Sequence, residues 1–324
     1  MPAISIAATP SILPTASNTS PAITFGAFFK LRANWNAAGS DFRRIGPANF
    51  ADGIDTMQSG PNARTVSNVV VGDGNADVEN SMGLSAMMYG WGQFIDHDLD
   101  LSKSDGTTNI GIVIPSGDPN FAAGTTIAMT RAVIDPATGV AGKPATAVNS
   151  ITGWLDGSMV YGSDATTAAS LRGDNGTMLT SSGNNLPISN GMFAAGDVRA
   201  QENPSLTALQ TLFVREHNYQ VAQLAKQHPT WTSDQLYNQA KAIVTAEIAH
   251  ITYAEFLPHL LGKNAIAPYH GYNPNVDARI SEEFAGAAFR FGHSIVSATA
   301  EKLDNAGNVV GTTQSLKDVF FESP

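Results

Sequence analysis

The chain has 324 residues, of which 43% are hydrophobic and 14% are charged, and its formal net charge is −10 at pH 7. This composition predicts a globular protein, and the acidic balance argues against a nucleic-acid partner because phosphate contacts need clustered Lys and Arg. The sequence has no cysteine, which excludes disulfides, cysteine nucleophiles and thiolate metal ligands.

The N-terminus predicts an arm rather than a folded segment. Residues 1–22 are rich in Ala, Pro, Ser and Thr, so we expect a flexible arm followed by one domain over residues 23–324. The start lacks the charged region and the continuous apolar region of a secretory signal. No stretch approaches the roughly 18–20 apolar residues of a membrane-spanning helix, so no span is predicted.

The first half of the chain alternates loops with helical patterns. A turn-rich stretch is predicted from residue 60 to 75, and a strong helix from about 81 to 101, where apolar residues recur at three- and four-residue steps. Residues 103–150 predict long loops with some short strands. A helix is expected to start near Ser163, and residues 173–190 return to loop.

Three further helices are predicted in the second half. The helix from Ser205 to Lys226 has an apolar side formed by Leu206, Leu209, Leu212, Phe213 and Leu224. The next helix opens with a capping box, Thr232 and Gln235, and continues towards Gly262. Residues 281–298 predict another helix. The predicted fold is therefore mainly α, with long loops of the kind that often carry function.

The segment WGQFIDHDLD, residues 91–100, places four polar side chains on one helix face. Gln93, Asp96, His97 and Asp100 follow one another at positions i, i+3, i+4 and i+7. A histidine between carboxylates on an otherwise apolar helix suggests a cofactor or metal partner. The spacing alone leaves an exposed polar face with a surface histidine equally open.

The segment TGWLDGS, residues 152–158, carries alternating oxygen donors. Alternate residues of an extended loop face the same side, so Thr152, Asp156 and Ser158 would lie together with Trp154. The backbone carbonyl of Trp154 is a further donor. Hydroxyl, carbonyl and carboxylate oxygens suit Ca²⁺ better than Zn²⁺ or Cu²⁺. Only one carboxylate is present, so a second must come from elsewhere. By itself, the segment is more often an ordinary turn.

Two shorter segments carry candidate chemistry. In GDVRAQENP, residues 196–204, Arg199 and Glu202 fit a surface ion pair as the commoner explanation. In FRFGH, residues 289–293, the aromatic setting of His293 fits an axial haem ligand, although a core histidine is the more usual interpretation.

Taken together, these segments resemble a known family. WGQFIDHD, LDGSMVYGS, RAQENP, LFVREHN, ITYAEFLP and FRFGH follow one another in the order of the signatures of the animal-type haem peroxidases. This is the peroxidase–cyclooxygenase superfamily of myeloperoxidase, lactoperoxidase and peroxidasin. The resemblance runs from about residue 42 to 298. It implies a mainly α haem peroxidase domain that reduces H₂O₂ and oxidises halide, pseudohalide or aromatic donors.

The resemblance also implies roles for residues around a haem. His97 matches the distal base, Gln93 its neighbour over the haem, and Arg199 the distal arginine. His293 matches the proximal iron ligand. Arg290 matches an arginine that faces a haem propionate.

Two carboxylates match residues that hold the haem covalently in vertebrate members. Asp96 and Glu202 correspond to the carboxylates that form ester bonds to haem methyl groups. Asn203 stands where myeloperoxidase has the Met of a third, sulfonium bond, so that bond is excluded here. Gln210 replaces a histidine common at its position in the family, with no consequence that the sequence indicates.

The resemblance supplies the second carboxylate of the calcium site. Asp98 matches a ligand that completes a Ca²⁺ shell with Thr152, Trp154 through its carbonyl, Asp156 and Ser158. Because Asp98 follows His97 directly, calcium is expected to fix the backbone that aims the catalytic imidazole.

Three alternatives remain in view. A fatty-acid dioxygenase of the same superfamily is disfavoured, because Arg290 stands where those enzymes carry their radical-forming Tyr. A haem-free calcium-binding or adhesion module is disfavoured by the joint presence of Gln93, His97, Arg199 and His293. A di-metal carboxylate bundle needs repeated Glu-x-x-His motifs, and only one is found, at residues 247–250.

The family's longer catalytic domains lead us to expect a chain truncated at the C-terminus. An Asn that bonds the proximal histidine lies well downstream in the family, and no obvious candidate precedes Pro324. An extracellular location is favoured, because millimolar external calcium saturates weak sites.

Overall fold

The computed structural model describes residues 36–72, 78–271, 273 and 275–321. The arm predicted for residues 1–22 lies outside the described residues. Among the helices of the described ranges, none has the length and apolar character needed to cross a membrane.

Helices account for most of the regular structure in the described ranges. The α-helices are α1 (Ala63–Val70), α2 (Met87–Leu99), α3 (Ser158–Tyr161), α4 (Ala165–Ser170), α5 (Pro204–Gln227), α6 (Ser233–Ile251), α7 (Leu257–Leu261) and α8 (Glu282–Gly286). A π-helical turn, Thr252–Phe256, joins α6 to α7. Short 3₁₀ helices span Asp174–Gly176, Ser182–Asn184, Ala288–Ser294 and Leu316–Asp318.

Short strands pair in antiparallel ladders of two. The described strands are β1 (Ser104–Asn109), β2 (Ile112–Val113), β3 (Thr126–Ile127), β4 (Thr130–Ala132), β5 (Ile188–Ser189), β6 (Met192–Phe193), β7 (Thr299–Ala300) and β8 (Gln314–Ser315). They pair as β1 with β4, β2 with β3, β5 with β6 and β7 with β8. The prediction of long loops with short strands over 103–150 is therefore confirmed.

The two longest helices begin at well-formed caps. Asn203 caps α5, where its side chain accepts a hydrogen bond from the Leu206 N–H, and Pro204 fills the first helical position, where a missing N–H costs nothing. Thr232 and Gln235 form the predicted capping box of α6. These local signals explain why both helices start within one residue of the predicted positions.

Aromatic side chains join α2 to α5. The Phe94 ring stacks on the Phe213 ring at 5.2 Å between centroids, and Trp91 meets Phe213 at 5.9 Å. The Trp91 indole N–H also donates to the Thr252 hydroxyl at 3.2 Å, which ties α2 to the π turn. Phe256 of that turn packs against Gly92, where a Cβ would lie 3.5 Å from the ring. This packing fixes the position of α2 within the core.

His217 lies fully buried where α5 meets α3 and α6. One ring nitrogen, Nε2, lies 2.9 Å from the carbonyl oxygen of Gly176, which can only accept, so Nε2 carries the proton. Nδ1 then accepts from the Tyr161 hydroxyl at 3.0 Å. Burial lowers the pKa of His217 to about 4, so a neutral imidazole joins three segments of the core.

Three predicted elements differ from the structure. Residues 281–298 are not one helix: α8 ends at Gly286, Ala287 leaves helical geometry with φ −136° and ψ −64°, and a 3₁₀ helix follows. Gly286 weakens the helix there. The stretch 60–75, predicted as turns, contains α1, which Asn62 caps by accepting from the Thr65 N–H.

The third difference is the start of α2. The helix predicted from residue 81 begins only at Met87, because Asn80 forms a local turn by accepting from the Leu84 N–H. Within α5, which forms as predicted, Leu212 is expected on the buried side but is 55% exposed.

Candidate active site

A cavity of about 310 Å³ lies against α2, the loop that precedes α5 and the 3₁₀ helix Ala288–Ser294. It contains every residue that the resemblance assigned to catalysis or haem binding. The cavity is lined by Gln93, Asp96, His97, Arg199, Glu202, Arg290 and His293, with Asn203 and apolar residues around them. Residues separated by up to 200 positions in the sequence therefore meet at one place.

Three of the four residues predicted to share a polar face of α2 lie at this cavity. Gln93, Asp96 and His97 line it, as their spacing of three and four residues requires. Asp100 lies at the C-terminal cap of α2 and is fully buried. Asp98 is one position after His97, so it lies about 100° round the helix and contacts the loop at residues 157–159 instead.

His97 is buried and neutral, with acidic groups near both ring nitrogens. Nδ1 lies 3.8 Å from an Asp197 carboxylate oxygen, and Nε2 lies 3.9 Å from a Glu202 oxygen. Both distances exceed a hydrogen bond. Burial, helped by the positive charge of Arg199, lowers the pKa of His97 to about 3. The imidazole is therefore available as a proton acceptor rather than as a cation.

Arg199 is held by Asp197, two residues before it. Its Nε donates to Oδ1 of Asp197 at 2.8 Å and its Nη2 to Oδ2 at 2.9 Å, a two-point contact that fixes the guanidinium plane. Nη2 also donates to the Asp100 carbonyl at 3.0 Å. Burial raises the pKa of Asp197, but the hydrogen bonds and charge of Arg199 outweigh burial and keep that pKa low. The surface pair of Arg199 with Glu202, considered from the sequence, is not what holds this arginine.

Asp96 lies between two arginines. Its Oδ2 is 3.5 Å from Arg290 and 3.7 Å from Arg199, while its Oδ1 is buried without a hydrogen-bond partner among the described residues. Burial outweighs the two cations and raises the pKa of Asp96. Arg290 also donates to Asp100 at 3.0 Å, and burial, with repulsion from Asp96, raises the pKa of Asp100 to about 7.

His293 lies in the short 3₁₀ helix on the cavity wall, and it is exposed. Phe289, four residues before it, packs on the main core and stacks on Phe284 at 4.9 Å between ring centroids. The aromatic anchor therefore fixes the start of this helix, while the imidazole remains accessible from the cavity.

The predicted calcium ligands of residues 152–158 lie near Asp98. Ser158 Oγ donates to Asp98 Oδ1 at 2.6 Å, and the Gly157 and Met159 amides also donate to Asp98. Thr152 Oγ1 lies 3.3 Å from Asp156 Oδ1. The prediction that this segment is extended is wrong beyond Trp154, because residues 154–157 bend and Ser158 begins α3. The bend results from Gly157, whose φ is +77°.

The two carboxylates of this cluster repel each other in a buried setting. Burial, with the negative charge of Asp156, raises the pKa of Asp98 to about 7. The described residues contain no group of three or more His, Cys, Asp or Glu side chains arranged around a metal position. A set of two carboxylates with hydroxyl and carbonyl oxygens suits Ca²⁺.

Gly196 brings the Arg199 loop against the calcium segment. A Cβ at this position would lie 2.1 Å from the Ser158 carbonyl oxygen, so only glycine fits. The Asp197 N–H donates to the Met159 carbonyl at 3.0 Å. The loop that carries Arg199 is thus fixed to the segment that carries Ser158.

Sequence reasoning missed two contributors to this site. The sequence predicts no role for Asp197, although an acidic residue two positions before a buried arginine is a usable signal. Asn203 was noted only for what it replaces, yet its side chain donates to the Gln93 carboxamide oxygen at 2.6 Å. Its position directly before Pro204 predicts the cap, but no local pattern predicts the contact with Gln93.

Comparisons with known proteins show which family and fold the chain is similar to. The family model for animal haem peroxidase matches residues 30–324. The chain is similar to eosinophil peroxidase of Mus musculus, with 33% identity over 81% of this chain and 43% of that protein. It is equally similar to peroxidase mlt-7 of Caenorhabditis elegans, with 33% identity over 83% of this chain and 42% of the relative. The chain thus spans less than half the length of these two relatives.

Solved structures show the same fold. Peroxidase A from Dictyostelium discoideum matches with a TM-score of 0.78 and 26% identity, over 89% of this chain and 61% of that one. A fatty acid alpha-dioxygenase from Arabidopsis thaliana matches with a TM-score of 0.67 and 19% identity, over 89% of this chain and 56% of that one. At that identity, the second match concerns the fold alone.

Proposed function

Because the chain belongs to the animal haem peroxidase family, as its match over residues 30–324 establishes, we propose that it is the haem- and calcium-binding part of a peroxidase. The proposed substrates are H₂O₂ and a small electron donor: a halide, a pseudohalide or an aromatic compound. The proposal gives His97, Arg199 and Gln93 catalytic roles. One observation carries it: these three side chains line the same cavity as His293.

The residues of the cavity fit a haem. His293 offers an exposed imidazole on one wall, and neutral imidazole is a common axial ligand of haem iron. Arg290 offers a cation to a propionate on the same side. Asp96 has a buried carboxylate oxygen that accepts from no N–H or hydroxyl of the described residues, which suits the ester bond proposed for it, and Glu202 offers the second carboxylate. Haem bound here would supply the iron that binds and reduces peroxide.

His97 is proposed to move the proton. Its imidazole is neutral because burial lowers its pKa to about 3, so it can accept a proton from H₂O₂ held in the cavity. It then returns that proton to the departing oxygen, and such general acid–base help is typically worth about 10²–10⁴-fold. Asp197 would favour a transient positive charge on the ring, whereas burial, Arg199 and Arg290 keep the resting ring neutral.

Arg199 and Gln93 are proposed to stabilise the charge that develops as the O–O bond breaks. The two-point contact with Asp197 fixes the guanidinium of Arg199 before any substrate arrives. A fixed cation needs no reorganisation during the reaction, which is what makes such groups effective.

Calcium is proposed to bind Asp98, Asp156, Thr152, Ser158 and the carbonyl of Trp154. The donor set supports this, since the two carboxylates are close enough for Asp156 to raise the pKa of Asp98. A cation between them would remove that repulsion. Because Asp98 follows His97 in α2, the ion would stabilise the helix segment that carries the catalytic base.

The proposal is tested by an absorption spectrum of the purified chain with haemin and Ca²⁺, recorded before and after H₂O₂. We expect a sharp Soret band that shifts on peroxide and recovers when an aromatic donor is added. A broad spectrum like that of free haemin would contradict haem binding by this chain. Consumption of O₂ with a fatty acid, without consumption of H₂O₂, would favour the dioxygenase instead.

A further inference from the structure

Asn203 has a polarity that the fold fixes. Its Oδ1 accepts from the Leu206 N–H at 3.0 Å as the cap of α5, and only an oxygen can fill that position. The other end of its carboxamide is therefore Nδ2, which can only donate. Asn203 is 2% exposed, so this arrangement has little freedom to rotate.

The fixed donor of Asn203 determines the orientation of Gln93. Nδ2 of Asn203 lies 2.6 Å from the Gln93 carboxamide, so the Gln93 atom facing it must be the acceptor, Oε1. The pKa of Glu202 agrees with this orientation: burial raises it, and the Gln93 side chain acts in the opposite direction, as a nearby N–H donor would. The hydrogen bond to Asn203 thus turns the NH₂ group of Gln93 away from Asn203.

We propose that Asn203 is a positioning residue that makes Gln93 a hydrogen-bond donor in the cavity and thereby favours small anions as electron donors. This inference rests on the proposed function. A carboxamide nitrogen carries two N–H groups, and neither is used when Oε1 of Gln93 accepts from Asn203. That NH₂ group lies in the same cavity as Arg199 and neutral His97. A halide or thiocyanate can accept from it, whereas a reversed amide would present an oxygen that repels the anion.

The test compares two substitutions that both keep the helix cap. N203S retains an oxygen for the Leu206 N–H but is too short to reach Gln93. N203D also caps well, but its second oxygen can only accept, so it forces the Gln93 amide to reverse. Each substitution is made alone and in a Q93L background, which gives a double-mutant cycle. The charge added by N203D acts on the anion in both backgrounds, so its direct effect cancels in the cycle.

The first readout is equilibrium binding of thiocyanate to the haem- and Ca²⁺-loaded chain, followed by the Soret band. We expect the Kd to rise about 3- to 10-fold in N203S and about 10-fold or more in N203D, as for a lost hydrogen bond to an ion. Within the Q93L background, N203S should change the Kd less than about 1.5-fold. Thermal unfolding should stay within about 2 °C for both single variants if the cap is kept. Equal Kd values in wild type, N203S and N203D would overturn the proposal.

The second readout needs no haem. The side-chain N–H signals of Gln93 in a ¹⁵N-correlated NMR spectrum, identified by their loss in Q93L, should shift in N203S and N203D. Unchanged signals would overturn the orientation, whatever the anion affinity. The peroxide reaction of the wild type tests the proposed function separately. Its absence would refute the peroxidase proposal but would not affect the inferred orientation of the Gln93 amide.

Discussion

At the scale of single residues, the buried imidazole of His97 is the group on which the proposed chemistry depends. Its low pKa, caused first by burial and then by Arg199, keeps it neutral over the whole physiological range. We predict that H97A still binds haem, because it is not the proposed iron ligand, but reacts with H₂O₂ about 10²–10⁴-fold more slowly. Stopped-flow absorption at the Soret band measures this. H250A, which removes an exposed histidine of α6, is the matched control, and an unchanged rate in H97A would remove His97 from its role.

The two cavity carboxylates give a second prediction. If Asp96 and Glu202 form ester bonds to haem, acid–acetone should fail to extract the haem after turnover with H₂O₂. Extraction should become complete when D96N and E202Q are combined, because a carboxamide does not form the ester. The absorbance of the organic phase gives the extracted fraction. Complete extraction from the wild type after turnover would refute the covalent link.

How much of the site the sequence predicts depends on how its residues are held. Gln93, Asp96 and His97 were predictable as a group because helical spacing brings them together within one element. Asp197 and Asn203 were not, because their roles depend on which atom of a partner faces them across the cavity. Hydrogen-bond polarity of this kind follows from tertiary placement, and the sequence carries only the residue types.

At the scale of elements, α2 is joined to the segment 156–159 through Asp98 and Ser158. We predict that removing calcium lowers the melting temperature and shifts the Soret band together, since the same helix carries His97. Chelation followed by thermal unfolding and absorption measures both. Ca²⁺ should restore both properties, and Mg²⁺ should not, because Mg²⁺ demands a tighter octahedral shell. D156N should lose most of the sensitivity to chelation, and no effect of chelation on the wild type would refute the metal site.

The packing of α5 against α6 gives a prediction about pH. Burial, with the negative charge of Glu216, raises the pKa of Glu247 from 4.5 to about 7. The folded chain therefore holds this proton more tightly than the unfolded chain, and stability falls as pH rises from about 4.5 to about 7. Because Glu247 is half-buried, solvent screening limits the effect to about 1 kcal/mol.

E247Q should remove this loss of folding stability at higher pH, because a carboxamide does not titrate. We expect its melting temperature to exceed that of wild type by about 1–2 °C at pH 8 and by little at pH 5. Calorimetry at both pH values measures the difference. E255Q, at an exposed position of the π turn, serves as the control. An equal change in E247Q at both pH values would contradict the assignment to Glu247.

The elements themselves were predicted where local signals are strong. The caps Asn203 and Thr232, together with apolar periodicity, set the starts of α5 and α6 closely. The break at Gly286 and the bend at residues 154–157 were missed. In both cases an apolar or alternating pattern continued through residues whose backbone conformation depends on packing with distant segments.

At the scale of the molecule, the cavity wall combines segments from well-separated parts of the chain. Residues 88–97, 199–203, 289–296 and 316–320 all contribute to it. The Phe321 N–H donates to the Glu202 carbonyl at 3.1 Å, which ties the last described segment to the loop before α5. A ligand that fills the cavity therefore contacts several segments that lie far apart in the sequence.

Haem binding should accordingly stabilise the whole fold. A ligand that binds only the folded chain adds about 4 kcal/mol when its concentration is about 1,000 times its Kd, which corresponds to a rise of about 6 °C in melting temperature at this size. Haemin titration followed by thermal unfolding measures the rise. H293A should reduce it strongly if His293 is the iron ligand, whereas H270A, outside the cavity, should not. An equal rise in H293A and wild type would mean that haem is held by contacts other than the proposed axial ligand.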